Sequence, residues 1–144
     1  MSTTSAPLRK TPWHLWAVAV LTLLWNGSGA YTILLAQAGG LRDNEPAVAA
    51  YYAAQPAWFV IATDVALFSP LAGAVALLLR SRMAVGLFAI SLIAVVLNDA
   101  YDVGSGASLA LTDRGWLILT VVIAAIAALQ LAYAWAMRKR GVLG

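Results

Sequence analysis

This sequence predicts an all-α fold, a four-helix transmembrane bundle with both termini in the cytoplasm and a short helix on its outer surface. Three observations carry that expectation. Of 144 residues, 62% are hydrophobic and 10% charged, against roughly half apolar and a quarter charged in soluble domains. The apolar residues fall in four long runs, 13–38, 56–79, 83–101 and 116–137, each close to the ~20 residues a helix needs to cross a ~30 Å hydrocarbon core. The Lys and Arg residues gather in alternate connections, as sidedness in a bilayer requires. The whole chain, 1–144, then reads as one membrane domain.

Arg9 and Lys10 precede the first run. Together with the apolar stretch 13–24 and the small residues Gly27, Ser28, Gly29 and Ala30, they also fit a signal peptide with its cleavage site. The apolar run continues through Tyr31-Thr32-Ile33-Leu34-Leu35, past the roughly 7–15 residues of a signal-peptide core, so a retained span is the expectation. In the first outer loop Asn44 can cap a helix, Glu45-Pro46 suits a first turn, and 47–54 is a good helix former stopped by Pro56. Tyr51 and Tyr52 on this surface helix either anchor in the interface or close over a site below, as lid segments do. The second and third runs are joined by Arg80-Ser81-Arg82 alone, which forces a tight antiparallel hairpin. The third run is the shortest and carries polar residues near its outer end. Residues 103–108, Val-Gly-Ser-Gly-Ala-Ser, have the composition of a flexible linker.

Orientation follows from the basic residues. Arg9, Lys10, Arg80, Arg82, Arg138, Lys139 and Arg140 lie on one side and only Arg42 and Arg114 on the other, so the termini and the short turn face the cytoplasm and the inner membrane of a bacterium is the expected home. Trp13, Trp16, Trp58, Trp116 and Trp135 lie near helix ends, where amphipathic rings meet the headgroups. The net charge of +3 is thereby explained by topology, and no nucleic-acid partner is expected. There is no cysteine and a single histidine, His14, so thiol chemistry and a metal or haem site are not expected. No serine, histidine and acid set stands in usable positions, and the Gly-Ser elements lack the lysine of a phosphate loop. No enzyme activity, catalytic residue or cofactor is expected; a membrane enzyme acting on lipid or quinone ranks last.

Polar residues inside a span need a reason, because an ionisable group there costs roughly 2.5–3.5 kcal/mol on insertion scales. Asp64 lies ~12 Å below the outer end of the second run and Asn26 ~20 Å above the inner end of the first, at ~1.5 Å per residue. Asn98 and Asp99 stand near the outer end of the third. All fall in the outer half of the bilayer, so Asn26, Tyr31, Asp64, Asn98, Asp99 and Tyr101 are expected to line one outward-facing pocket, with Trp25 as a stacking wall. Asp102 is expected in the wet interface, Asp113 and Arg114 are loop charges, and Gln130 lies in the inner half, at the wrong depth. The bland reading is interhelical glue, at about 0.6–2 kcal/mol per hydrogen bond. Glue needs only neutral groups, whereas two carboxyl groups in a partly dry space repel, as at a cation or proton site. The run 27–30 serves either close packing, the favoured reading, or a kink beside a cavity. Ala72-Gly73-Ala74 and the alanines from 124 to 136 read as packing faces.

At Trp25-Asn26-Gly27-Ser28-Gly29-Ala30-Tyr31, at Tyr51-Tyr52 with Pro56 and Trp58, and at Arg80-Ser81-Arg82, the chain resembles a group of uncharacterised small four-helix membrane proteins of proteobacteria. Some of these carry a transferred sugar-transporter label. More distantly, and by architecture, it is similar to the DoxX-type four-helix proteins. It does not resemble the small multidrug exporters, which rely on a glutamate where the first run here has Asn26. The expected function is therefore a carrier or binding protein for a polar or cationic small solute, working in the lipid bilayer as a homo-oligomer or within a larger membrane complex. The alternative is a non-catalytic accessory subunit packed within such a complex.

Overall fold

The computed structural model describes residues 10–39, 46–106 and 114–144, and among them only helices appear. They are α1 (Trp13–Gln37), α2 (Pro46–Ala53), α3 (Ala57–Leu78), α4 (Met83–Ser105) and α5 (Arg114–Lys139). Four of them, all but α2, are long and apolar enough to span a membrane. The all-α, four-helix part of the expected fold class holds, and a short helix does occupy the first loop. Asn44 and Glu45 fall outside the described residues.

Seven of the eight ends of the spanning helices agree with the sequence reading to within two residues, and one does not. α4 runs four residues past Tyr101, to Ser105, so Val103, Gly104 and Ser105 are helix rather than linker. The cause is Gly106, whose φ of 70° gives the left-handed stop that a helix most readily takes at glycine. Asp102 thereby joins the helix and shares a stripe with Ser91, Val95 and Asn98, spaced at helical intervals of three and four.

α1 packs on α3, α3 on α4 and α4 on α5. The spanning helices thus form an open arc, in which the first and last are not packed along their length. With the end of the bundle that holds Lys10 and Gly144 labelled inner and the opposite end outer, the tightest core lies at the inner end, where Leu15, Leu77, Ala84, Phe88, Ala134 and Met137 meet. There Gly73 lets α3 and α4 approach, since a Cβ at this position would stand 3.0 Å from two ring carbons of Phe88. Ala74, beside it, is fully buried. Of the expected packing face at 72–74, Gly73 and Ala74 are therefore packed, whereas Ala72 is exposed. The run at 27–30 contributes less: nothing lies within 4 Å of a Cβ at Gly27, and one at Gly29 would make ordinary contact with Leu67. α1 passes through this run as one helix without a break.

The inner turn is closed by hydrogen bonds. Arg80 takes a φ of 57°, and Ser81 donates its amide to Ala76 O at 2.8 Å. After α5 the chain turns at Gly141, buries Val142 and Leu143, and Gly144 exchanges backbone hydrogen bonds with Arg80 and Arg82. One further link concerns Pro70, inside α3. Proline has no amide hydrogen to give the carbonyl four residues back, and Ser91 Oγ on α4 donates to that carbonyl, Ala66 O, at 3.0 Å. A hydroxyl from a neighbouring helix is how a proline is accommodated within a span.

Candidate functional site

Above the packed inner end the arc leaves a cavity of about 400 Å³ between α1 and α5, backed by α3 and α4. Its lining follows helical stripes: Asn26, Gly29 and Ile33 on α1; Phe59, Thr63 and Leu67 on α3; Ser91, Val95, Asn98 and Asp102 on α4; Leu119, Ile123, Ala127 and Gln130 on α5. Asp99, Trp25 and Tyr51 also line it. The volume lies within the roughly 300–1,000 Å³ usual for small-molecule sites, and the mix of apolar walls with a few polar groups is equally usual.

Of the residues expected to converge, the structure brings Asn26, Asn98, Asp99 and Trp25 to this cavity. Asp64, Tyr31 and Tyr101 are corrections. Asp64 stands one residue beyond Thr63, which turns it ~100° off the lining stripe of α3; its carboxylate accepts a 3.0 Å hydrogen bond from Gln37 Nε2 at the outer end of α1. Tyr31 follows Ala30, which is buried, and is 70% exposed on the outer face of α1. Tyr101 packs edge-on to Trp58, with ring centroids 4.9 Å apart, and tilted against Phe59, so it ties α4 to α3. In each case rotation about the helix axis, which the sequence does not give, turns the side chain away from the cavity.

Two residues set aside in the sequence belong here. Gln130 lines the cavity and is only 8% exposed. The cavity reaches it because α1 and α5 are unpacked well into the inner half. His14 Nδ1 and Tyr133 Oη, 2.6 Å apart, bridge the seam below. Asp102 is the second. Its two carboxylate oxygens accept hydrogen bonds of 2.7 and 2.8 Å from Tyr51 Oη, and Tyr51 is 8% exposed. Of the two readings of Tyr51, the closing one therefore describes its position: α2 is held over the outer end of the cavity. The side chains of Tyr52 and Trp116 lie outside the described residues.

The polar groups of the cavity are mostly acceptors. Asn98 donates to Thr63 Oγ1 at 2.9 Å, which leaves its buried Oδ1 without a partner among the described residues. Asn26, which also lines the cavity, donates to Thr22 O at 2.9 Å. Among the described residues neither Asp99 nor Gln130 has a hydrogen-bond or ionic partner, and no Lys, Arg or His is among those lining the cavity. A carboxylate with no cationic side chain beside it among the described residues, on a wall that also carries the amides of Asn26, Asn98 and Gln130, favours a positively charged or hydrogen-bond-donating guest.

Fold and cavity together define the class: a multi-pass helical membrane protein with an acidic, acceptor-rich cavity in its bundle. Comparison with protein-family models, curated proteins and solved structures finds no match for the chain.

Proposed function

We propose that this protein is a small inner-membrane carrier or binding protein for a cationic small solute, held in the cavity between α1 and α5. The observation that carries the reading is Asp99: a carboxylate on the cavity wall, one helical turn from Asp102, with no cationic side chain beside it among the described residues. Retaining an ionisable group inside a span is costly unless it serves a site. Asn26, Asn98 and Gln130 orient the solute with their amide oxygens, and Tyr51 on α2 closes the outer end. Both termini lie in the cytoplasm on this reading, because seven of the nine basic residues gather at the termini and the inner turn. The likeness to four-helix proteobacterial proteins supports the architecture only.

The test is a thermal-shift screen of the purified protein in lipid nanodiscs against small ammonium, neutral and anionic solutes. Ammonium compounds are expected to stabilise it in a saturable way, and Asp99→Asn to lose that response. Stabilisation by anions alone, or by none of the three classes, sinks the proposal.

A further inference from the structure

We infer that the cavity takes its ligand sideways from the bilayer, through the seam between α1 and α5, and that the ligand is an amphiphile with an ammonium head and an apolar tail. The inference rests on the reading above that Asp99 binds a cation, and adds the route and the tail.

The route follows from which lining residues are exposed. On α3 and α4 every lining residue is buried or half-buried; the exposed ones are Trp25, Ser28 and Thr32 on α1 and Leu119 and Ile123 on α5. The mouth therefore lies between the two helices that touch at the inner end, through His14 and Tyr133, and are not packed together along their length. Trp25 to Thr32 stand between ~18 and ~28 Å above the inner end of α1 at ~1.5 Å per residue, inside a ~30 Å hydrocarbon core. A mouth at that level faces acyl chains. From the aqueous side Tyr51 lies across Asp102, with both carboxylate oxygens engaged.

The ligand class follows from the lining. By area the wall is mainly apolar, with Ile33, Leu67, Val95, Leu119, Ile123 and Ile126 contributing, which suits a hydrocarbon tail better than the full water shell of a small hydrated ion. Asp99 and the buried Gln130, neither of which has a partner among the described residues, supply oxygen acceptors for an ammonium head. At about 400 Å³ the cavity holds a head and its first few carbons; a longer tail passes through the seam into lipid.

The experiment uses phosphatidylcholine nanodiscs and a variant in which Trp25 is the only tryptophan, the other five being Phe. A long-chain alkylammonium with a terminal bromine quenches Trp25; propylamine serves as a short competitor and a brominated alkyl sulfate as the anionic control. The chain has no cysteine, so Thr32→Cys provides a single thiol at the mouth for a bulky maleimide. Expected are saturable quenching by the long amine, at least tenfold weaker in Asp99→Asn, abolished by thiol modification, absent with the sulfate, and poorly competed by propylamine. Propylamine competing as well as the long amine, with modification without effect, overturns the lateral route and leaves the cation site standing. Cross-linking of Thr32→Cys between two copies also overturns the route, since a second chain then covers the mouth. Quenching that is unchanged in Asp99→Asn, with the melting temperature also unchanged, overturns both readings.

Discussion

The close approach of α3 and α4 at Gly73 gives a sharp test of the packing. A Cβ there would sit 3.0, 3.0 and 3.2 Å from three carbons of the Phe88 ring, against an optimal carbon separation of about 3.5–4.0 Å. Phe88 is 1% exposed, so its ring has little room to retreat, and overpacking of this kind costs about 1–3 kcal/mol. Gly→Ala within a helix also gains up to about 1 kcal/mol from reduced backbone freedom. Gly27, in the middle of α1 with nothing within 4 Å of its Cβ position, receives that gain without the clash. Comparing the two substitutions cancels the propensity contribution. Gly73→Ala is therefore expected to be about 1–3 kcal/mol less stable than Gly27→Ala in reversible unfolding by a denaturing detergent. Equal stabilities, or a more stable Gly73→Ala, would refute the account of the α3 and α4 interface.

Three further outcomes follow from individual contacts. Ser91→Ala leaves the carbonyl of Ala66, already deprived of a partner by Pro70, without its hydroxyl donor, and is expected to lower unfolding stability by about 1–3 kcal/mol; a neutral effect would mean the carbonyl finds another donor. Tyr51→Phe removes the hydrogen bonds to Asp102, which at about 1.5–3 kcal/mol for a charged acceptor raises opening of α2 by about ten- to 150-fold. Amide hydrogen exchange over residues 46–53 reads this, and unchanged exchange contradicts the closing role of Tyr51. For topology, a green fluorescent protein fused after Gly144 is expected to fluoresce in the cytoplasm and an alkaline phosphatase fused there to be inactive; the reverse pattern would overturn the assigned orientation.

The sequence made the fold legible because spans announce themselves by length and apolarity, and the described structure keeps all four. The end of α4 was misplaced because polar residues were read as the onset of the interface, whereas the helix stops at the first glycine that takes a left-handed conformation, Gly106. Position along each helix was also legible, and Asn26, Asn98 and Asp99 do line one cavity. Rotation about the axis was not: Asp64 and Thr63 share a depth, yet only Thr63 faces the cavity. Gln130 was set aside because the pocket was expected to end in the outer half. Nothing in the local pattern shows that α1 and α5 stay apart, since that depends on which helices pair, and pairing is decided by contacts such as Gly73 with Phe88.

The measurement that bears most directly on the account is the dissociation constant of one ammonium ligand for the wild-type protein, Asp99→Asn and Asp64→Asn in the same nanodiscs. A charged hydrogen bond of about 1.5–3 kcal/mol corresponds to a loss of about ten- to 150-fold in affinity for Asp99→Asn. Asp64→Asn, which alters only the contact with Gln37 outside the cavity, is expected to bind as the wild type does. Affinity lost in Asp64→Asn and kept in Asp99→Asn would contradict the placement of the site.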